Sequence, residues 1–175
     1  ETPGLGWVPG EVRLIAPSDP AIKVPHMGWN DVAMLPHARD DAVIEEGEGK
    51  PIPQIFAEQG EPYFRSVETA VVRAYAARDG LVIAAGGGVV VKPENIEALQ
   101  AGGTVYCLRA SARQILDRVG QDTHRPLLQG GDKLEKIQGL LDKREALYGA
   151  IPNQVPTDGQ TPEQVADRII ALLDR

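Results

Sequence analysis

The residues of this chain that could do chemistry are three consecutive glycines, three arginines and an aspartate pair. Gly86, Gly87 and Gly88 directly follow the apolar run Leu81–Ala85. Glycines there let backbone approach a ligand closely and offer free N–H groups to an anion; a tight turn is the other reading of the same run. Arg65 and Arg144 fall within amphipathic helical patterns, and a guanidinium matches a carboxylate or phosphate in a two-pronged geometry. The alternative for each is a solvated surface charge. Arg125 lies in the polar stretch 121–131, in the run Thr123-His124-Arg125-Pro126-Leu127-Leu128. An arginine on a mobile loop suits a lid closing over a transferring phosphate, and a plain connector is the alternative. His124 reads as a loop residue rather than a proton shuttle. Asp40 and Asp41 precede Ala42-Val43-Ile44. A carboxylate at a strand end there would accept hydrogen bonds from a polyol, and a helix N-cap is equally credible.

These residues need elements to position them. Residues 61–79 read as a helix with Phe64, Val67, Val71, Ala74 and Tyr75 on one face, ended by Gly80. Leu81–Ala85 reads as a buried parallel strand. Pro93 suits the first turn of a helix that Gly102 closes. Thr104–Leu108 is the next strand. Ser111 and Gln114 form a capping-box signature for a helix to Val119. Leu134, Ile137, Leu141, Arg144 and Tyr148 mark another helix, and a weak strand is expected near Gln154–Thr157. Thr161, Pro162 and Gln164 open a last helix with Val165, Ile169 and Leu172 on its core face. Helix and strand alternating in this way imply a parallel α/β sheet, whose ligands sit beyond the carboxyl ends of the strands. Gly86–Gly88 lies at such an end.

The 175 residues make one ordinary domain, with 42% hydrophobic and 25% charged residues. A net charge of −7 argues against a nucleic-acid or anionic-membrane surface. An anionic substrate would need a local basic pocket. The single cysteine, Cys107, excludes an internal disulfide and a multi-cysteine metal site; flanked by Val105 and Leu108, it reads as an inert core thiol. There is no signal peptide and no apolar run near membrane-spanning length, so a soluble cytoplasmic protein is expected. The first residue is Glu1 rather than Met, which suggests processing or a longer reading frame.

The run Gly49-Lys50-Pro51-Ile52-Pro53-Gln54-Ile55-Phe56, then Gly60-Glu61 and Phe64-Arg65, resembles the shikimate-binding region of shikimate kinases. So do Gly86-Gly87-Gly88, the lid run Arg125-Pro126-Leu127-Leu128, and Lys143-Arg144-Glu145-Ala146-Leu147-Tyr148. Their order and spacing agree over residues 41–175. The resemblance implies a three-layer parallel-sheet, P-loop-kinase-like domain there, with its lid at 121–131. It also implies ATP-dependent phosphorylation of the shikimate 3-hydroxyl, with ATP and magnesium as cofactors. Asp41 matches the aspartate that holds shikimate hydroxyls and helps activate the attacking one. Arg65 and Arg144 match the pair gripping the shikimate carboxylate, and Gly87, within Gly86–Gly88, matches a backbone contact to shikimate. Arg125 matches the lid arginine that meets the ATP phosphates; Arg118 and Gln160 match positions beside the adenine and its nucleotide.

A shikimate kinase should open with a strand, a phosphate loop of the form G-x-x-x-x-G-K-S/T and a helix. No such run exists in the sequence, so the first βα unit of the family is expected to be missing. Gly47-Glu48-Gly49-Lys50-Pro51 fails, because proline occupies the hydroxyl position and Glu48 would repel phosphate. Two residues before Asp41, where the family often has an acidic residue near the magnesium, stands Arg39, with Asp40 adjacent. The loop's N–H groups, lysine and hydroxyl are what grip phosphate and magnesium, so impaired turnover is expected. A shikimate-binding remnant or a recombined chain without activity is the alternative.

Residues 1–38 hold six of the 14 prolines and both tryptophans. The runs Gly4-Leu5-Gly6-Trp7-Val8-Pro9-Gly10-Glu11-Val12 and Val24-Pro25-His26-Met27-Gly28-Trp29-Asn30 resemble the glutaminase subunit of imidazole glycerol phosphate synthase. That family's cysteine elbow and distal His and Glu are absent, so glutamine hydrolysis is not expected, and His26 and Trp29 read as structural. Residues 1–40 are expected to form an irregular, hairpin-like segment with short strands at Glu11–Ile15, near Lys23–Val24 and at Val32–Leu35. The link through Pro17–Pro20 lacks a crossover helix. The expected place of this hairpin is therefore on an edge, with a gap left at the centre of the sheet; a surrogate central strand at Glu11–Ile15, apolar at Val12, Leu14 and Ile15, is the alternative.

Overall fold

The computed structural model describes residues 24–27, 40–119, 126–128 and 131–173. Among them, four short strands form one sheet: β1 (Val24–Met27), β2 (Val82–Ala85), β3 (Tyr106–Arg109) and β4 (Asn153–Pro156). Their order is β2-β1-β3-β4, and every pairing is parallel. The register sets Val24 against Val82 and Met27 against both Ala85 and Cys107. All four carboxyl ends therefore lie along one side of the sheet, where α/β proteins place their ligands.

The central strand corrects one expectation. β1 comes from within residues 1–40, yet it lies between β2 and β3, parallel to both, and not on an edge. The expected gap is filled by Val24–Met27. The reason is in the connection. Parallel pairing needs a crossover of a dozen or more residues. The segment joining β1 to β2 supplies one in α1 (Asp40–Glu48) and α2 (Ile52–Ala76). The strands expected at Glu11–Ile15 and Val32–Leu35 lie outside the described residues.

Helices cover both faces of the sheet. Ile83 and Ala85 of β2 and Cys107 of β3 pack with Val72 and Ala76 of α2, Leu99 of α3 (Pro93–Gly102) and Tyr148 of α5 (Lys133–Gly149). On the other face Tyr106, Leu108 and Val155 meet Val165 and Ile169 of α6 (Pro162–Leu173). The period-two alternation along β3 makes this split, since neighbouring side chains point to opposite faces. Ile115 of α4 (Ala112–Val119) and Ile137 of α5 are fully buried against each other's cluster. The three-layer α/β architecture is thus as expected.

Local sequence explains most of the boundaries. Gly60 has φ +79 inside α2 and breaks it in two, so the regular stretch that carries Arg65 starts at Glu61, as the pattern predicts. Its buried side is Phe64, Arg65, Glu68, Thr69, Val72 and Ala76. That face is turned from the expected one, and Ala74 is exposed. The turn arises because α2 serves two clusters: Val72 and Ala76 join the sheet core, while Phe64, Val67 and Val71 pack on Ile44 and Ile55. Asp132 caps α5 by accepting from Leu134 N and Glu135 N. Thr161 and Gln164 close the expected reciprocal box on α6. At α4 only half of the box forms. Gln114 N donates to Ser111 Oγ at 3.3 Å, but Ser111 N donates to the Asp158 carboxylate instead. No described helix is long and apolar enough to cross a membrane.

Candidate functional site

The carboxyl end of β2 runs directly into Gly86–Gly88, which the 3₁₀ turn Val89–Val91 follows. Val89 N donates to Gly86 O and Val91 N to Gly88 O, both at 3.0 Å. Asn95, wholly buried on α3, donates from Nδ2 to Val89 O at 3.2 Å. The glycine run is thereby anchored from behind.

Two arginines from different helices close on it. Arg65 and Arg144 are only 6% and 7% exposed, so the surface-charge alternative does not hold for either. Arg144 of α5 donates from Nη1 to Gly87 O at 3.4 Å, and Tyr148, one turn on, donates its hydroxyl to the same oxygen at 2.7 Å. Arg65 of α2 lies against Gly88 so tightly that an added Cβ would stand 2.5 Å from Nη1. Arg65, Gly86, Gly87, Gly88 and Arg144, separated by up to 79 positions in sequence, meet at one strand end.

The two guanidinium groups differ in electrostatic setting. Arg65 Nη1 donates to both Glu68 oxygens at 3.0 and 2.8 Å, and Nε and Nη2 donate to Glu61 Oε1 at 3.2 and 3.1 Å. Burial works against its charge, but Glu68 and then Glu61 outweigh this, and its pKa is raised. Arg144 has no such support. Among the described residues it pairs with a carbonyl and with no carboxylate. A buried cation left in that state calls for an anion.

A second cluster forms at the end of β4. Arg118 of α4 donates from Nη1 to Thr157 Oγ1 and from Nη2 to Thr157 O, each at 3.2 Å. Gln160 Nε2 donates to Pro156 O at 3.0 Å. Partial burial lowers the Arg118 pKa, with Asp158 opposing. The structure thus brings Arg118 and Gln160 to one turn. Between β2 and β4 stand the ends of β1 and β3, so the two clusters are about 15 Å apart by strand spacing. Arg109, ending β3, is bound to Glu145 at 2.7 and 2.6 Å.

Asp41 is the second residue of α1. Asp41 therefore lies within the first turn of a helix, past the N-cap position and not at a strand end; its side chain lies outside the described residues. Arg125 and His124 also lie outside them, and of the expected lid only 126–128 and residue 131 are described. Within it, Leu128 is buried on the α4–α5 cluster. A surface hollow of about 650 Å³ bounded by Ser111, Arg113, Leu134 and Asp142 is lined by none of the candidate ligand-binding or catalytic residues. Sequence reading missed Glu68 and the hydroxyl of Tyr148. Glu68 was findable, because positions three apart on a helix face each other and oppositely charged pairs there attract. Tyr148 was placed on the core face, but nothing local pointed its hydroxyl at Gly87.

Comparison with known proteins gives one answer. The family model described as shikimate kinase matches residues 34–174. The shikimate kinase of Thermodesulfovibrio yellowstonii is 42% identical over 135 residues, covering 77% of this chain and 78% of that one. That of Caldicellulosiruptor bescii is 43% identical, covering 76% and 77%. Among solved structures, shikimate kinase from Acinetobacter baumannii, in complex with shikimate, matches with a TM-score of 0.80 and 30% identity over 87% of this chain and 92% of that one. The Aquifex aeolicus shikimate kinase gives a TM-score of 0.72 at 25% identity, over 87% and 96%.

Proposed function

The chain belongs to the shikimate kinase family, and on that premise we propose that it binds shikimate at the end of β2 while transferring phosphate to it poorly. The observation that carries this reading is Arg144, a buried cation that faces a glycine carbonyl and no carboxylate among the described residues. Shikimate is a small carboxylate with several hydroxyls. In this reading Arg144 and Arg65 grip its carboxylate, and the backbone of Gly86, Gly87 and Gly88 receives its ring. Asp41 holds its hydroxyls and draws the proton from the attacking one. The Acinetobacter baumannii relative, solved with shikimate, supports the choice of ligand.

On the nucleotide side, Arg118 and Gln160 are proposed to flank the adenine and Arg125 to meet the phosphates from the lid. The residues present do not fit the ATP tail and its magnesium. Such a site needs a lysine, a hydroxyl and a row of N–H groups in one loop, and the sequence holds no such run. At the strand ends, the Thr157 hydroxyl is already engaged by Arg109 O and Arg118, and Nη2 of Arg109 by Glu145. Removing a single preorganised transition-state donor costs about 10²–10³ in rate, so loss of the whole cradle costs at least that.

In domain terms, residues 41–175 are proposed as the kinase-like body, with a lid at 121–131. Residues 1–40 are proposed as an added segment, of which β1 joins the body's sheet. An ADP-release assay with shikimate and ATP–magnesium tests the proposal. The expected result is turnover at or near background. Turnover at an ordinary kinase rate, abolished by Arg125→Ala, would show that phosphate is gripped by other means.

A further inference from the structure

The carbonyl of Gly87 takes two donors from the same helix, Tyr148 Oη at 2.7 Å and Arg144 Nη1 at 3.4 Å. A carbonyl oxygen has two lone pairs, so both are engaged. No peptide bond among the described residues is cis. In a planar trans unit the N–H points opposite to the C=O, so clamping the Gly87 oxygen toward α5 aims the Gly88 N–H away from α5. Neither Gly87 N nor Gly88 N finds an acceptor among the described residues. On the other flank, the guanidinium of Arg65 stands against the Cα of Gly88.

Tyr148 is suited to set that orientation. It is 6% exposed and packs in the sheet core with Ala85, Val89 and Cys107. Its backbone oxygen accepts from Ile151 N and from Gln154 Nε2. Arg109, held by Glu145, places its guanidinium carbon 5.8 Å from the centre of the Tyr148 ring. The hydroxyl therefore has one direction available, and its order is already set when a ligand arrives.

We propose that Tyr148 is a positioning residue. It holds the Gly87–Gly88 peptide so that the Gly88 N–H is presented to an oxygen of the bound acidic polyol, and it shares the anchor point of Arg144. This rests on the shikimate-binding reading given above. Tyr148 itself does not touch the ligand in this account. Its contribution passes through one peptide unit and carries no charge.

The test is Tyr148→Phe, which removes one O–H and keeps the ring. Two readouts are taken on the full chain: the ¹⁵N-resolved amide resonance of Gly88 without ligand, and the Kd for shikimate by calorimetry. The expected result is a displaced Gly88 resonance together with a Kd weakened about fivefold, the worth of one net hydrogen bond. An unmoved Gly88 resonance, or a Kd within twofold of the parent chain, overturns the inference. If Tyr148→Phe does not fold, 3-fluorotyrosine at position 148 replaces it. A more acidic hydroxyl then displaces the Gly88 resonance from its position in the parent chain and tightens Kd, and no change in either overturns the inference. A parent chain that gives no heat with shikimate overturns the binding reading itself. A parent chain that binds and a variant that binds equally well overturn only the role of Tyr148.

Discussion

The guanidinium of Arg65 and the α-carbon of Gly88 are so close that no side chain fits between them: a Cβ on Gly88 would lie 2.5 Å from Nη1, 2.8 Å from Nη2 and 3.0 Å from Cζ. Glycine is required there by space and not by backbone angle, since Gly88 has φ −83. The contact ties a residue of α2 to the end of β2 and fixes one wall of the proposed cup. Gly88→Ala should push the guanidinium aside and weaken shikimate binding tenfold or more. The overpacking should cost about 1–3 kcal/mol of stability. Calorimetry with shikimate and a thermal melt check the two parts. Unaltered binding would mean that Arg65 does not line the ligand site.

Glu68 is 2% exposed and holds Arg65 through both oxygens. Glu68→Gln leaves Arg65 buried with Glu61 as its remaining carboxylate partner among the described residues. Hydrogen bonds to charged groups are worth about 1.5–3 kcal/mol, and a chain of this size loses roughly 2–4 °C in Tm per kcal/mol. A fall in Tm of about 3–12 °C is expected by differential scanning calorimetry. Glu61, whose side chain is 43% exposed, shares its bond with solvent, and Glu61→Gln should cost clearly less.

Cys107 lies on β3 at 2% exposure, and burial raises its thiol pKa, with Arg109 opposing. A raised folded pKa means that the unfolded chain ionises first. The resulting stability is complete below the ordinary thiol range and is lost as pH rises through it, from about 8.5 upward. Denaturant melts at pH 7 and 9.5 should show a loss of stability that Cys107→Ala removes in part. Thiol labelling at neutral pH should proceed only as fast as the chain opens; immediate stoichiometric labelling would contradict the burial.

How legible this was from sequence depended on how local the cause was. The helix starts at Pro93, Thr161 and Glu61, and the strand ends before Gly86, are set by neighbours in sequence, and reading those neighbours located them. The buried face of α2 was misjudged because two clusters share it, and the pairing of Ser111 N with Asp158 lies 47 positions away. The place of Val24–Met27 in the sheet is decided entirely by strands that follow it. The link through Pro17–Pro20, with no crossover helix, argued for an edge, yet the α1–α2 crossover that follows Val24–Met27 puts that strand at the centre. Within the site, glycines and arginines announced themselves by type. Tyr148 did not, because its hydroxyl finds Gly87 across 61 positions.

The central claim is that an anion-binding cup persists at Arg65, Gly87 and Arg144 without the machinery that grips ATP. The most direct measurement is calorimetric titration of the chain and of Arg144→Ala with shikimate, alongside ATP–magnesium. The account predicts saturable shikimate binding by the parent chain and a Kd weakened roughly tenfold or more in the variant, since a charge-assisted hydrogen bond is lost. Little or no heat is predicted with the nucleotide. No heat from the parent chain at millimolar shikimate, or equal affinity in Arg144→Ala, would contradict it.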